Sequence, residues 1–215
     1  MTKCVIFLAG EIYDYTYMKK YVTDADMIIC ADGGTTHAKR MGIEPDIILG
    51  DMDSIDPTIL ESYRNTSVEI LEFNIDKDKT DSHLAIGLAL ERKYDDIVII
   101  GAIGTLPDHS VTNIMLLEYI MKAKAYGRII TENSEMTVSD GKLEITADDF
   151  DRISLIPLSD EVTGITTIGL KFSLCNDTLY RTGSRGTSNS FISDKAKIEF
   201  DQGVLLVIKA RCEKT

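Results

Sequence analysis

Apolar residues in roughly the first 130 positions fall in short, nearly unbroken runs: Val5–Leu8, Met27–Ala31, Ile47–Leu49, Val68–Phe73, Ile97–Ile100 and Arg128–Thr131. Runs of three to six residues without strict alternation predict strands covered on both faces. Between them lie stretches with helical spacing. Asp81–Lys93 repeats Leu84 and Leu88 beside Ala85 and Ala89, and Val111–Lys124 repeats Val111, Ile114 and Met115. Strands alternating with amphipathic helices predict an α/β domain, with a mostly parallel sheet and helices on both faces.

From about Glu135 the period changes to two. The runs MTVS (136–139), KLEIT (142–146), RISLIPL (152–158), KAKIEF (195–200) and VLLVIKA (204–210) are separated by turn pairs such as Asp140-Gly141 and Asp148-Asp149. That texture predicts an antiparallel β-sandwich or barrel without helices. Within it, GLKFSLCNDTLY (169–180) predicts a hairpin turning at Asn176-Asp177. The expected organisation is an α/β domain over 1–134 and a β-sandwich over 135–215.

Composition narrows the partners. The hydrophobic fraction is 44%, which describes an ordinary globular chain. A net charge of −12 leaves no basic face for a phosphate backbone, so no nucleic acid is expected. Cys4, Cys30, Cys175 and Cys212 are far apart and form no zinc pattern, which suits reduced thiols and a cytoplasmic setting. Cys4–Ala9 reads as a first strand rather than a signal peptide, and nothing approaches the ~20 apolar residues of a membrane span.

The informative polar residues follow the strands. Asp32, Asp51, Asp53, Asp78 and Asp81 come just after apolar runs, hence at strand carboxyl ends, where open parallel sheets bind ligands. Clustered carboxylates repel one another unless a cation sits among them. Oxygen donors without His or Cys select Mg²⁺, which commonly arrives with phosphates. In GDMDS (50–54) two carboxylates at i and i+2 can turn toward one ion, with Ser54 or Asp56 left to cap a helix starting near Pro57. A DxD after a strand also occurs in haloacid-dehalogenase-like phosphatases and sugar-nucleotide transferases, so it names no reaction. DKDKTDS (76–82) carries more carboxylates than the one cap a helix needs, together with Lys77 and Lys79.

Three further segments are candidates. ADGG (31–34) sets Asp32, Gly33 and Gly34 between a strand and a helix, where glycines let backbone approach a ligand, although a plain capped turn explains it equally well. GAIGTLPDHSVTN (101–113) puts Asp108, His109 and Asn113 at a helix start, with His109 and Asn113 one turn apart. No GxxxxGK[ST] occurs, which excludes a P-loop. In the β half, Phe172 and the Gly-rich stretch around Arg185, Ser188 and Asn189 offer an aromatic face and small polar groups for a flat heteroaromatic ligand, or a surface loop.

Taken in order, ADGG, PDIILGDMDS, KDKTDSHLA, the G-x-x-G…DH…N stretch and GLKFSLCN…SRGTSN resemble the thiamin pyrophosphokinase family over about Ala31–Phe191. The resemblance implies transfer of the diphosphate of ATP to the hydroxyl of thiamin, giving thiamin diphosphate and AMP. It implies Mg²⁺ on Asp51, Asp53, Asp78 and Asp81, and nucleotide near Asp32, Gly33, Gly34, Lys79, Asp108, His109 and Asn113. Thiamin would meet Phe172, Arg185, Ser188 and Asn189, and Asp81 is the candidate acceptor of its hydroxyl proton. It further implies a homodimer with active sites at the subunit interface. The chain departs from the family at Leu106, where an arginine is usual; Lys77, Lys79, Arg185 or a residue of the partner chain would then supply charge. Two other readings of the residues are a DxD phosphatase with Asp51 as nucleophile and a non-catalytic thiamin or nucleotide binder.

Overall fold

The computed structural model describes residues 1–74 and 78–211, so Asp76, Lys77 and Cys212 lie outside the described residues. The chain divides into two compact units, Met1–Glu132 and Asn133–Thr215.

The first unit runs β1 (Lys3–Phe7), α1 (Tyr15–Val22), β2 (Met27–Ala31), α2 (Thr35–Met41), β3 (Ile47–Gly50), α3 (Pro57–Arg64), β4 (Glu69–Glu72), α4 (Asp81–Glu91), β5 (Asp96–Ile100), α5 (Pro107–Lys122) and β6 (Tyr126–Ile130). Its strands pair in the order β6-β5-β1-β2-β3-β4, all parallel. Alternate side chains feed two cores. Val5, Phe7, Cys30, Ile48, Val98 and Ile100 pack with Met18, Ala38, Met41 and Tyr63 of α1, α2 and α3. Their neighbours Cys4, Ile6, Ile29, Ile97 and Ile99 are also fully buried, and point to the opposite face, as strand geometry requires. That double burial is the α/β arrangement the unbroken apolar runs predict. Helix ends obey local chemistry: Asp56 caps α3 with Pro57 just inside it, and Thr80 caps α4.

The strand order reverses direction between β1 and β5, and the loops after these strands lie side by side. Leu8, Gly10 and Glu11 N–H groups donate to Ile100, Gly101 and Ile103 carbonyls at 2.8, 2.8 and 2.9 Å. Such a switch point at strand carboxyl ends is where doubly wound sheets hold ligands.

The second unit is all β: β7 (Ser134–Ser139), β8 (Leu143–Thr146), β9 (Arg152–Pro157), β10 (Glu161–Ile168), β11 (Asp177–Tyr180), β12 (Asn189–Ser190), β13 (Lys195–Glu199) and β14 (Leu205–Ala210). Antiparallel pairing gives β12-β9-β14-β7 and β11-β10-β13-β8. Ile153, Leu155, Leu205 and Val207 from the first set share one core with Val162, Ile165, Leu179 and Ile198 from the second, as in a sandwich.

One expectation for this unit needs correction, and one strand goes unread in the sequence. The hairpin does not run through Gly169–Leu174; it pairs β10 with β11, and 169–176 is the connection. Gly169, at φ +85°, ends β10, and Thr167 and Leu174 then exchange hydrogen bonds that fold the connection back on the strand. β10 itself escapes the period-two pattern because its register with β11 shifts between Thr163 and Ile165, at Gly164 with φ +69°. Among the described residues no helix is long and apolar enough to cross a membrane.

Candidate active site

At the carboxyl ends of β1, β2 and β5 the first unit opens a cavity of about 320 Å³. Its lining includes Asp32, Ser54, Asp81, Gly104, Leu106 and His109. Among the described residues no lysine or arginine lines it.

Three carboxylates converge here. One oxygen each from Asp32, Asp51 and Asp53 lies within 4.8 Å of the others. Adjacency of β2 and β3 in the sheet brings Asp32 to the DxD loop. Asp32 is buried in a 3₁₀ turn over Asp32–Gly34, with φ +45°, a backbone state that Asp tolerates better than most residues. The loop of Asp51 and Asp53 is pinned locally: the Asp53 N–H donates to Asp51 Oδ1 at 3.3 Å, and Ser54 Oγ donates to Asp53 Oδ1 at 2.9 Å. Burial pushes the Asp32 carboxyl above its ordinary range, and the Asp51 and Asp53 charges add to the rise. Hydrogen bonds from Ser54 oppose it.

Three carboxylates crowded at the cavity edge, one buried, one half-buried and one exposed, offer only oxygen donors and match the donor set of a hard divalent cation. The grouping differs from the one expected. Asp32 joins Asp51 and Asp53, whereas Asp78 and Asp81 are not members of this cluster. Asp81 opens α4 and lines the cavity; Asp78 and Lys79 are exposed on the segment before it and do not line it.

The glycines do other work than expected. A Cβ on Gly34 would stand 2.1 Å from the Phe7 carbonyl oxygen, and one on Gly33 would stand 3.0 Å from Ala9 Cβ. They let the turn press against β1 and do not line the cavity. Asn113, buried on α5, donates from Nδ2 to the Ala102 carbonyl at 2.8 Å and so steadies the loop after β5. His109 is exposed at the cavity edge, and Asp108 accepts the His109 backbone N–H at 2.9 Å. Leu106 reaches the cavity with 58% of its surface exposed.

In the second unit a separate cavity of about 320 Å³ is lined by Phe172, Leu174, Arg185, Thr187 and Asn189, among others. Asn189 is buried and clamps Phe172: Oδ1 accepts the Phe172 N–H at 3.0 Å and Nδ2 donates to the Phe172 carbonyl at 2.8 Å. Arg185 forks onto Asp177, with Nη1 to Oδ1 at 2.7 Å, and is committed to that pair. Ser188, at φ +61°, donates its N–H to Ser154 Oγ at 3.0 Å. Phe172 is exposed and lines this cavity.

One buried residue escaped the sequence reading. His37, on α2, bonds the Tyr15 hydroxyl and the Gly10 carbonyl. Nothing local marks it, because those partners lie 22 and 27 residues away.

Comparison with known proteins follows the same division. Residues 18–128 match the family model "Thiamin pyrophosphokinase, catalytic domain", and residues 142–205 match "Thiamin pyrophosphokinase, vitamin B1 binding domain". The thiamine pyrophosphokinase of Bacillus subtilis (strain 168) is 30% identical over 192 residues, covering 88% of this chain and 90% of the relative. Thiamine pyrophosphokinase 1 of Oryza sativa subsp. japonica is 27% identical, covering 87% and 80%. A crystal structure of the Bacillus subtilis thiamine pyrophosphokinase superposes with a TM-score of 0.89 at 26% identity, covering 99% of this chain and 100% of that one. With both units matched in order and a relative of nearly equal length, the resemblance read from ADGG, GDMDS and SRGTSN is upheld: the chain belongs to the thiamin pyrophosphokinase family.

Proposed function

We propose that the chain transfers the diphosphate of ATP to the hydroxyethyl oxygen of thiamin, releasing AMP and thiamin diphosphate. The observation that carries this reading is the convergence of Asp32, Asp51 and Asp53 at the edge of a cavity on the sheet's switch point, in a chain of this family. Asp32, Asp51 and Asp53 would hold Mg²⁺, and Asp81, lining the same cavity, is a further candidate ligand. When bound, the ion supplies neutralisation of phosphate charge, which is most of what phosphoryl transfer demands.

The chain's own groups do the rest. The cavity walls at Gly10, Gly101 and Gly104 carry no side chains, which leaves room for the nucleotide beside the carboxylates. His109 at the rim offers ring nitrogens to the nucleotide, and Asn113 keeps the Ala102 loop in place beneath it. Asp81 is assigned to take the thiamin hydroxyl proton; a loose transition state asks little of that base. Phe172 offers its exposed face to a thiamin ring, held in position by Asn189. A net charge of −12 favours capture of a cationic substrate.

The working unit is proposed to be a homodimer with active sites at the subunit interface. Leu106, Val111, Met115 and Tyr119 support it, presenting apolar surface that is 58%, 54%, 49% and 38% exposed from the cavity rim along α5. The proposed setting is cytoplasmic, which suits the free buried thiols of Cys4 and Cys30. The deciding experiment is incubation with MgATP and thiamin. AMP appearing together with thiamin diphosphate supports the reading. Thiamin-independent release of free phosphate would replace it with a phosphatase, and binding without turnover would reduce it to a binding protein.

A further inference from the structure

The peptide joining Gly10 to Glu11 is gripped on both edges. Its N–H donates to the Ile103 carbonyl at 2.9 Å, and its carbonyl lies 2.8 Å from His37 Nε2. A carbonyl can only accept, so Nε2 carries the proton and Nδ1 is left as an acceptor. The Tyr15 hydroxyl, 2.8 Å away, donates to Nδ1 and accepts in turn from Arg40 Nη1 at 3.2 Å. The result is a one-directional chain of donors, Arg40 to Tyr15 to His37 to Gly10, linking α2 and α1 to the loop after β1. His37 is buried, so a change here leaves polar groups stranded rather than returned to water.

Backbone bonds to Gly101 and Ile103 hold the N–H groups on either side of that carbonyl, and His37 is the side chain that holds the carbonyl itself. Gly10 has no side chain and tolerates none: a Cβ would stand 2.4 Å from the Gly101 carbonyl oxygen and 2.5 Å from that of Ile103. Gly10 also lines the cavity. A glycine at a cavity wall is the residue most free to wander, and hydrogen bonds are its means of restraint. His37 supplies one from α2, the helix that continues directly from the Asp32 turn.

We propose that His37 is a positioning residue for the nucleotide: its Nε2–H holds the Gly10 carbonyl, and so sets the cavity wall in register with the Asp32 turn. The proposal rests on the cavity being the nucleotide site. Burial lowers the affinity of the ring for a second proton, and Arg40 acts in the same direction while the Gly10 bond opposes both, so the ring stays in the neutral form this chain requires.

The test compares His37→Leu with His37→Gln, whose amide nitrogen and oxygen can reproduce the two ring bonds. For His37→Leu the expected result is a KM for MgATP raised about tenfold, the size of one lost restraining hydrogen bond, with the KM for thiamin unchanged. His37→Gln should restore the wild-type value to within about twofold. An unchanged nucleotide KM in folded His37→Leu overturns the proposal. So does a fall in kcat alone, the mark of a smaller folded fraction, and so does a Gln variant as impaired as Leu. If His37→Leu does not fold, Tyr15→Phe serves instead, with a smaller rise in the same KM expected and no rise counting against. Titration of MgATP without thiamin separates this from the functional reading. Wild-type protein that binds MgATP but makes no thiamin diphosphate defeats the reaction alone, and His37 is then judged on the dissociation constant. Absence of MgATP binding defeats both.

Discussion

The Ser54 backbone N–H donates to Asp32 Oδ1 at 3.3 Å, tying the DxD loop after β3 to the turn after β2 across 22 positions of sequence. The bond holds Asp32 in place without neutralising it, and the carboxyl remains buried beside two others. A group kept in such surroundings works against the fold for the sake of a ligand.

Asp32→Asn tests that conflict. The amide keeps an oxygen for Ser54 and suits the φ of +45°, so the change removes charge and little else. Burial, then Asp51 and Asp53, raise the Asp32 carboxyl. A raised carboxyl stabilises the fold fully below its unfolded value, and that contribution is lost as pH climbs through the folded value. At neutral pH the ionised form is therefore a cost, and the metal-free variant should melt at or above the wild-type temperature, with the gap closing toward acid pH. Diphosphate transfer should fall by about 100-fold or more. Calorimetry across pH together with AMP release checks both; a lower melting temperature at pH 7 with activity kept would remove Asp32 from the site.

Gly34 and Gly42 separate two reasons for a glycine. Gly34 has no left-handed φ, yet a Cβ there would meet the Phe7 carbonyl oxygen at 2.1 Å. Gly42, the residue ending α2, has φ +68° and nothing within 4 Å of its would-be Cβ. Gly34→Ala should therefore cost about 1–3 kcal/mol through forced backbone movement, and also impair activity because the Asp32 turn shifts. Gly42→Ala should cost about 1–2 kcal/mol from backbone conformation alone and leave turnover intact. Denaturant midpoints with matched activity assays distinguish them, and equal activity losses would contradict the assignment.

How far the fold could be read in the chain follows from where the information is local. The β2 and β5 runs announce buried strands because burial on both faces leaves an unbroken apolar string. The β10 strand hides because the bulge at Gly164 breaks the alternation that would reveal it. At the site, Asp51 and Asp53 are adjacent enough in sequence to be paired by inspection. Their third companion depends on β2 lying beside β3, which no spacing encodes, so the resemblance places Asp32 with the nucleotide and not with the metal. Among the described residues of the acidic run before α4, Asp81 lines the cavity and Asp78 does not, a distinction that composition does not carry. His37 carries no mark at all, because each partner belongs to a different element.

Asn189 exerts its effect through Phe172. Both polar ends of its amide are used on the Phe172 backbone, and Oδ1 also accepts the Ser190 N–H at 2.9 Å. Asn189→Ala strands backbone groups at a buried position and should cost about 2–4 kcal/mol, from two lost partners at about 1–2 kcal/mol each. The KM for thiamin should rise with it while the KM for MgATP stays put. Steady-state kinetics at a temperature where the variant is folded reads this out; a rise confined to MgATP would assign Phe172 and Asn189 to the wrong substrate.

The resemblance implies an arginine where Leu106 stands, and the surroundings of Leu106 define what one would add. The side chain sits at the cavity rim, 58% exposed, and among the described residues the cavity has no lysine or arginine. Arg185, a possible substitute, is held by Asp177 in the second unit. Phosphate charge placed in the cavity would therefore meet carboxylates, a bound metal and backbone, with no side-chain cation among the described lining residues to share it. Leu106→Arg should lower the KM for MgATP by about three- to tenfold at low salt, the scale of one partly exposed charge pair worth about 1 kcal/mol. Because the rim is exposed, most of that gain should vanish as ionic strength rises and the Debye length shrinks to about 3 Å at 1 M. Kinetics at 20 mM and 1 M salt, about tenfold below and well above physiological strength, decide it. A salt-independent gain would mean that the arginine packs or closes the cavity, and no gain would mean that the phosphates lie away from this rim.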